Sequence, residues 1–390
     1  MPRESTDLDA LSIVRRLDRS AYLAYFVGGC VRDSLLGVEP KDFDIATSAR
    51  PRDVRQVFRN CRLIGKRFTL AHVYFPQNKI IEVATFRQAP SADDQEGELI
   101  LQDNEFGTPE SDAYRRDFTI NALFYDPIRH EIIDYCGGME DVYRRVLRSI
   151  GPADVRFKED PIRMLRAIKF AARLGLTFEA SLEEALRSER LELLKAARPR
   201  FSQELLRFLQ GGAARTSYEL LERFDYLSLL LPELSAAWSE VPALREETLS
   251  CLDVLDERGT EQLVDEYSLF ALLWWPTFCH LMAGREGSVR HVKWAALRLI
   301  APLAARVRLS IKQLHAITRT LAELYVMSLR SEEHINTHTT PPKRKRRGGD
   351  QNQAQYKAQG GVAKSTRDAA LLLTWWREAQ GRSPARDEAS

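Results

Sequence analysis

Residues 39–51 read E-P-K-D-F-D-I-A-T-S-A-R-P and set two carboxylates, Asp42 and Asp44, on either side of Phe43. Alternating polar and apolar positions, running into the β-branched Ile45 and Thr47, predict a half-buried strand over 42–47. Its period of two sends both carboxylates to one face. Their Cα atoms would then stand roughly 6–7 Å apart. With the carboxylates about 5 Å apart and an effective dielectric of about 20, the repulsion is roughly 3 kcal/mol, so a compensating cation is expected. Magnesium suits, because it binds few protein carboxylates and completes its octahedron with water and substrate phosphates. Upstream, Tyr25–Val27 reads as a strand that turns at Gly28 and Gly29 into a short helix. That turn offers backbone N–H groups and a helix N-terminus to an anion, with no Cβ in the way. Arg32 adds a cation early in the helix. Taken singly, Gly-Gly is an ordinary turn and Asp-x-Asp a solvated strand edge or a cap. Joined as G-G-x-V-R-D-x-L-L-G-x-x-x-x-D-x-D, they equip the chain for phosphoryl transfer.

The elements that must hold these groups follow from periodicity. Residues 8–20 predict an amphipathic helix, and Gly37 a left-handed stop for the helix that begins at Val31. Further strands are expected at 42–47, 70–75 and 79–86, with a helix over 51–59. Residues 88–111, rich in Asp, Glu, Gly and Pro, read as a mobile loop. Beyond Asp112 the pattern is helical to about residue 332, apart from a hairpin expected around 122–134 and 146–149. A small sheet domain followed by a long helical region is the expected α+β architecture. Residues 334–366 are polar, with every position from Lys343 to Arg347 basic, and are expected to be disordered alone. The closing A-A-L-L-L-T-W-W is expected to fold back onto the body.

Composition sets outer bounds. With 390 residues, 44% hydrophobic and 29% charged, the chain is an ordinary globular protein, not a disordered polymer. The formal charge of +2 hides 57 basic and 55 acidic residues, so distribution matters more than the sum. Cys30, Cys61, Cys136, Cys251 and Cys279 are scattered without C-x-x-C or zinc-ligand spacing, which fits reduced thiols. No signal-like stretch opens the sequence and no apolar run reaches about 18 residues. A cytoplasmic protein without a membrane partner is expected.

At Gly28 through Asp44 the sequence resembles the bacterial poly(A) polymerases and class II CCA-adding tRNA nucleotidyltransferases, within the polymerase-β-like nucleotidyltransferases. The resemblance runs from about Tyr25 to about Gly212 and continues weakly towards residue 330. It implies a polymerase-β-like head with a mixed sheet, followed by an elongated all-helical neck, body and tail. The corresponding segments are 1–148 (head), 149–215 (neck, nucleotide and RNA binding), 216–332 (body and tail, RNA binding), 333–366 (basic linker) and 367–390 (C-terminal helix). By this resemblance Asp42 and Asp44 bind two Mg²⁺ ions. One lowers the pKa of the RNA 3′-hydroxyl and the other stabilises the leaving pyrophosphate, the metals lying about 3.5–4 Å apart.

Glu82, in K-I-I-E-V-A-T-F-R, is a candidate third catalytic carboxylate or a polar residue on an open sheet face. Arg87 reaches phosphate or solvates the strand end. Within D-A-Y-R-R-D-F-T-I-N-A-L, the resemblance assigns Arg116, Asp117 and Asn121 to triphosphate and ribose recognition, with Gly28, Gly29 and Arg32 beside them; Asp112 caps a helix. In D-Y-C-G-G-M-E-D, Gly137 and Gly138 supply freedom for a head–neck hinge or only a tight turn. In E-D-P-I-R-M-L-R-A, Asp160 and Arg163, at i and i+3, read the edge of the incoming base, although Asp160 before Pro161 is also a good N-cap. Arg163, Arg166, Lys169 and Arg173 form a basic stripe, a solvated face or an RNA track.

The stretch L-I-G-K-R-F-T-L-A-H-V, taken as one strand over 63–73, resembles the poly(A) polymerase branch, with Lys66 and Arg67 placed to hold an RNA primer. His72 is expected to pack beside the sheet. No H-D pair occurs, so the metal-phosphohydrolase domain of some CCA enzymes is not expected. The function implied is template-independent transfer of AMP from ATP to RNA 3′ ends, mRNA or other RNA, with release of pyrophosphate. CCA addition to tRNA from CTP and ATP is the alternative, and an inactive RNA-binding protein a third reading.

Overall fold

The computed structural model describes residues 6–65, 69–88, 106–259, 265–285, 288–336 and 364–381. The chain divides into two compact units, one comprising Met1–Arg163 with Gly175–Glu189, the other Met164–Leu174 with Arg190–Ser390.

The first unit is built on a mixed sheet. Among the described residues its strands are β1 (Ala24–Val27), β2 (Ile45–Thr47), β3 (Cys61–Ile64), β4 (Leu70–Tyr74), β5 (Ile80–Thr85), β6 (Phe124–Asp126) and β7 (Glu131–Ile133), in the order β3-β4-β5-β2-β1-β6-β7. β2 and β5 run parallel, and every other neighbouring pair is antiparallel. The helices are α1 (Leu8–Arg19), α2 (Gly29–Leu35), α3 (Pro51–Val57), α4 (Pro109–Tyr114), α5 (Gly138–Arg144), α6 (Ala153–Glu159) and α8 (Ala180–Ser188), while α7 (Ile162–Leu174) belongs from Met164 onward to the second unit. α1 starts where the Asp7 carboxylate accepts from the N–H groups of Asp9 and Ala10, at 2.9 and 3.1 Å. Tyr25 and Phe86 each pack edge to face with Phe124 in the core.

Four expectations need correction. The strand expected at 42–47 begins only at Ile45, so Asp42 and Asp44 lie on its extended approach. Alternation nonetheless persists through that approach: Phe43 and Ile45 are buried while Asp42 and Asp44 are exposed. The supposed single strand over 63–73 is two antiparallel strands, β3 and β4, with Ile64 opposite Leu70 and Gly65 at φ +99° after β3. Lys66 and Arg67 lie outside the described residues, as do most of the 88–111 loop and the basic run 343–347. Residues 146–149 do not complete the 122–134 hairpin. Instead β8 (Val146–Leu147) pairs in parallel with β9 (Thr177–Phe178), far along the chain. Gly138 supplies no hinge freedom: a Cβ there would meet the Thr119 carbonyl oxygen at 2.3 Å, and the Asp134 carboxylate accepts from the N–H groups of Cys136, Gly138 and Met139. The glycine pair makes a tight turn.

The second unit is helical: α9 (Arg198–Gln210), α10 (Ala214–Arg223), α11 (Tyr226–Leu230), α12 (Pro232–Glu240), α13 (Pro242–Arg258), α14 (Leu269–Met282), α15 (Val289–Val307), α16 (Ile311–Asn336) and α17 (Lys364–Gln380). α14 is the core helix, with Trp274 and Trp275 wholly buried, and it packs on α13 and α16. The apolar segment near the end of the sequence lies in α17 against α13 and α16, pinned where Asp368 accepts from Asp265 N–H and the Ser268 hydroxyl, both at 3.0 Å. Among the described residues no helix is long and apolar enough to cross a membrane.

Candidate active site

Register alone brings the acidic residues together. β2 pairs with β5 with Ile45 opposite Val83, both buried, so the residues one step earlier, Asp44 and Glu82, face the same open side. Asp42, Asp44 and Glu82 line one cleft of about 470 Å³ with Lys41, His72 and Lys79. A larger hollow of about 570 Å³ between Arg16, Phe58 and Phe75 carries no carboxylate. Asp44 has its pKa pushed up to about 6, first by crowding of protein around the carboxyl and then by Glu82, with Asp42 adding to it and Arg116 opposing. The residue is exposed, so water reaches one side of a carboxyl that protein crowds on the other. Glu82 is half-exposed and sits 3.3 Å from Nε2 of His72, its cross-strand neighbour. Lys79 is occupied by Asp7 and Asp9, both at 2.7 Å.

These groups fit a divalent cation. Among the described residues no cation is ion-paired to Asp42 or Asp44, which leaves unneutralised carboxylates facing one space. Among the same residues no three His, Cys, Asp or Glu side chains converge as a complete ligand set. Magnesium takes one or two carboxylates and fills its remaining positions with water and phosphate, and Asp42 and Asp44 on one cleft offer that pair.

A second cluster gathers around the glycine turn. Gly28 has φ +71°, and a Cβ there would stand 3.2 Å from Arg116 Nη1 and 3.5 Å from the Asn121 carbonyl oxygen. The positive φ is what favours glycine here, and Arg116 packs close against the space a Cβ would take. The Gly28 N–H is already committed to the Leu123 carbonyl at 3.0 Å, so the expected cradle loses that donor. Gly29 opens α2 with nothing nearer its Cβ position than Arg32 Nη2 at 3.7 Å. Arg32 is not an exposed cation either. It is buried, ion-paired to Asp33, and donates to the Asn121 side-chain oxygen. Asn121 in turn donates to Asp117 at 2.9 Å. Gly28, Arg32, Arg116, Asp117 and Asn121 thus form one connected wall, and Arg116 links it electrostatically to Asp44.

Two further residues, Asp112 and Arg156, hold Arg116 of this wall. Asp112, expected only as a cap, is 3% exposed and holds Arg116 at 2.8 Å and Arg115 at 2.9 Å. Burial raises its pKa, but Arg116 and Arg115 more than offset that and keep the carboxyl below its ordinary range. The signal was present in D-A-Y-R-R, whose arginines sit at i+3 and i+4. Arg156 was missed. Its Nη2 donates to the carbonyls of Arg115 and Arg116 at 2.9 and 2.7 Å, while its Nε is buried without a partner. Burial and the adjacent Arg163 lower its pKa, against attraction from Glu159 and Asp117.

Arg156 also connects Asp160 and Arg163, whose N–H and guanidinium both donate to its carbonyl. Arg163 donates to the Arg156 carbonyl at 3.0 Å and pairs with Glu159 at 2.9 Å. Asp160 accepts the Arg163 N–H through its carbonyl at 3.0 Å and the Ile162 N–H through its carboxylate at 3.3 Å, so the capping role is realised. Along α7 the basic positions Arg163, Arg166, Lys169 and Arg173 are half-buried, not a freely solvated face, and Lys169 is held by Glu204 at 2.7 Å.

Comparison with known proteins assigns the family. A family model described as Poly A polymerase head domain matches residues 24–148, and one described as probable RNA and SrmB-binding site of polymerase A matches residues 175–237. The chain is 36% identical over 388 residues to Poly(A) polymerase I of Haemophilus influenzae, covering 95% of this chain and 84% of that protein. It is 38% identical over 230 residues to the CCA-adding enzyme of Geobacillus thermodenitrificans, covering 58% of this chain and 55% of that one. Among solved structures, the Bacillus stearothermophilus CCA-adding enzyme in complex with CTP aligns with a TM-score of 0.61 and 26% identity, over 96% of this chain and 81% of that one. The chain belongs to the class II poly(A) polymerase and CCA-adding nucleotidyltransferase family and is an enzyme of nucleotidyl transfer to RNA 3′ ends without a template.

Proposed function

We propose that the nucleotide transferred is AMP from ATP, so that the protein extends RNA 3′ ends as poly(A). The observation that carries this reading is the near full-length similarity to Poly(A) polymerase I, where similarity to a CCA-adding enzyme stops at 58% of the chain. In this reading Asp42 and Asp44, with Glu82 beside them, hold magnesium. Bound there, Mg²⁺ supplies charge neutralisation at the attacking 3′ oxygen and the departing pyrophosphate. Arg116 faces the triphosphate, and Arg32, Asp117 and Asn121 fix the ribose side of the pocket, with Gly28 and Gly29 allowing the backbone to come close. Asp160 and Arg163 present hydrogen-bonding groups to the base. For Arg163 this means releasing Glu159 when the base arrives.

The second reading, CCA addition from CTP and ATP, is supported by the structural likeness to a CCA-adding enzyme holding CTP. Incubating the protein with Mg²⁺ and each nucleotide separately, on an unstructured RNA and on a tRNA lacking its 3′ end, separates the two. Long adenylate tracts on both RNAs support AMP addition. Incorporation of CTP that stops after two residues on the tRNA alone overturns it. Asp42→Ala with Asp44→Ala should abolish incorporation while RNA is still retained, and persistent synthesis rejects the metal assignment.

A further inference from the structure

In the helical unit, α15 presents a face unlike any other surface described so far. Its sequence, V-R-H-V-K-W-A-A-L-R-L-I-A-P-L-A-A-R-V, contains no acidic residue. Val292, Ala295, Ala296, Ile300 and Leu303 are buried, which turns Arg290, Lys293, Trp294, Leu297 and Arg298 outward as a single i, i+3, i+4, i+7, i+8 stripe. The stripe is about 12 Å long at about 1.5 Å per residue.

Trp294 is 54% exposed, whereas Trp238, Trp274, Trp275 and Trp375 are all at most 3% exposed. The Arg298 guanidinium lies over its ring at 4.8 Å, and the His291 ring stands at 6.4 Å. Among the described residues neither Arg290, Lys293 nor Arg298 has an acidic partner. Arg306, at the far end of the same helix, shows the contrast, since Glu233 takes both of its terminal nitrogens at 2.6 and 3.0 Å. An indole left in water costs free energy that packing elsewhere in this unit avoids, and the cations gathered beside it repel one another. One kind of partner relieves both. A single-stranded polynucleotide offers a flat π face and a phosphate in every repeating unit.

We propose that this face of α15 is a docking platform for single-stranded RNA. A base stacks on Trp294, and flanking phosphates lie against Arg290, Lys293 and Arg298. The proposal rests on the reading of the chain as an RNA 3′-end nucleotidyltransferase and adds a further face that holds the strand. Such a platform reads no sequence, because every base has a π face, and its affinity falls with salt through the cations.

The experiment uses the full chain, without nucleotide or Mg²⁺, and a fluorescein-labelled oligoadenylate about 20 nucleotides long, the length being a free choice of probe. Trp294→Ala should weaken binding about five- to a hundredfold, the range that one base–aromatic stack supplies, while Trp294→Phe retains most of it. Arg290→Ala, Lys293→Ala and Arg298→Ala together should reduce the log–log salt slope by about 2, at about 0.7 per phosphate contact. Quenching of tryptophan fluorescence by unlabelled oligoadenylate should be large in the wild type and lost in Trp294→Phe. Unchanged affinity, slope and quenching in these variants overturn the proposal. So does selective loss of binding to polyglutamate with RNA binding intact, which assigns the face to an acidic protein. AMP incorporation on a saturating short primer is followed in parallel. Its absence from the wild type refutes the transferase reading, whether or not the platform binds RNA.

Discussion

Replacing Asp44 by Asn should stabilise the metal-free protein while abolishing transfer. Asp44 is crowded by protein on one side and faces Glu82 and Asp42, and its pKa rises from 3.8 to about 6. A carboxyl that binds its proton more tightly when folded destabilises the fold once ionised. The penalty is absent below about pH 4, grows as pH rises, and is complete above about pH 6. At about 1.36 kcal/mol per pH unit the rise corresponds to about 3 kcal/mol. Asp44 is exposed, so screening by water leaves about 1 kcal/mol. Asn keeps the shape and removes the charge, which should raise the melting temperature of the head by about 2–4 °C in EDTA at pH 7.5. The advantage should vanish near pH 4. Added Mg²⁺ should then reverse the order, because a cation held at 100 times its Kd stabilises the wild type by about 2.7 kcal/mol and the variant far less. If Asp44→Asn melts below the wild type in EDTA, or if its advantage is the same at pH 4 and pH 7.5, the reasoning fails.

Arg156→Lys should raise KM for the nucleotide about tenfold with a smaller effect on kcat, because a single ammonium cannot hold the Arg115 and Arg116 carbonyls and Glu159 in one plane; steady-state kinetics with ATP varied will show the split. Gly138→Ala forces a Cβ to 2.3 Å from the Thr119 carbonyl oxygen and should cost about 3 kcal/mol, read as a lowered denaturant midpoint. Glu204→Gln should destabilise the helical unit by about 3 kcal/mol, since it strands the half-buried Lys169 and removes the anchor of Arg207. Both ends of that pair have lowered pKa values, for different reasons. Lys169 is lowered by burial and by Arg166 and Arg207, whereas on Glu204 the attraction of Lys169 and Arg207 outweighs burial. The stabilisation from Glu204 is therefore complete above its unfolded pKa of 4.5 and is lost as pH falls below it, a loss that Glu204→Gln should not show in acid titrations.

What the sequence made legible was the part governed by neighbours in the chain. The common exposure of Asp42 and Asp44 follows from alternation with Phe43 and Ile45, and it survives although the ladder starts only at Ile45. Alternation needs only an extended backbone with one apolar side. A ladder also needs a neighbour: the Asp44 carbonyl accepts from Val27 N–H at 3.0 Å, whereas pairing of β1 with β2 starts at Ile45 opposite Phe26. Gly37, with φ +75°, ends α2 in the left-handed conformation for an equally local reason.

The rest was hidden by distance along the chain. Arg32 read as a cation open to phosphate, because nothing near it in sequence says that Asn121 would arrive to take its guanidinium. Strand β8 looked like part of the preceding hairpin because its parallel partner Thr177–Phe178 lies beyond two helices. Arg156 gave no signal because it acts on backbone carbonyls, which every residue possesses. These three misses share a physical cause and a consequence for the site. Positions that touch phosphate or metal must keep charge available, so their residue types announce them. Positions that fix the geometry of those residues spend their charge on the protein itself, and only the fold shows where. Arg116 stands at the boundary between the two, tied to Asp112 and to the Asn121 carbonyl yet still acting on Asp44. The head therefore couples its acidic cleft to the wall around the glycine turn through the Arg116 guanidinium, whose position Asp112 sets, and loosening Asp112 should disturb both at once.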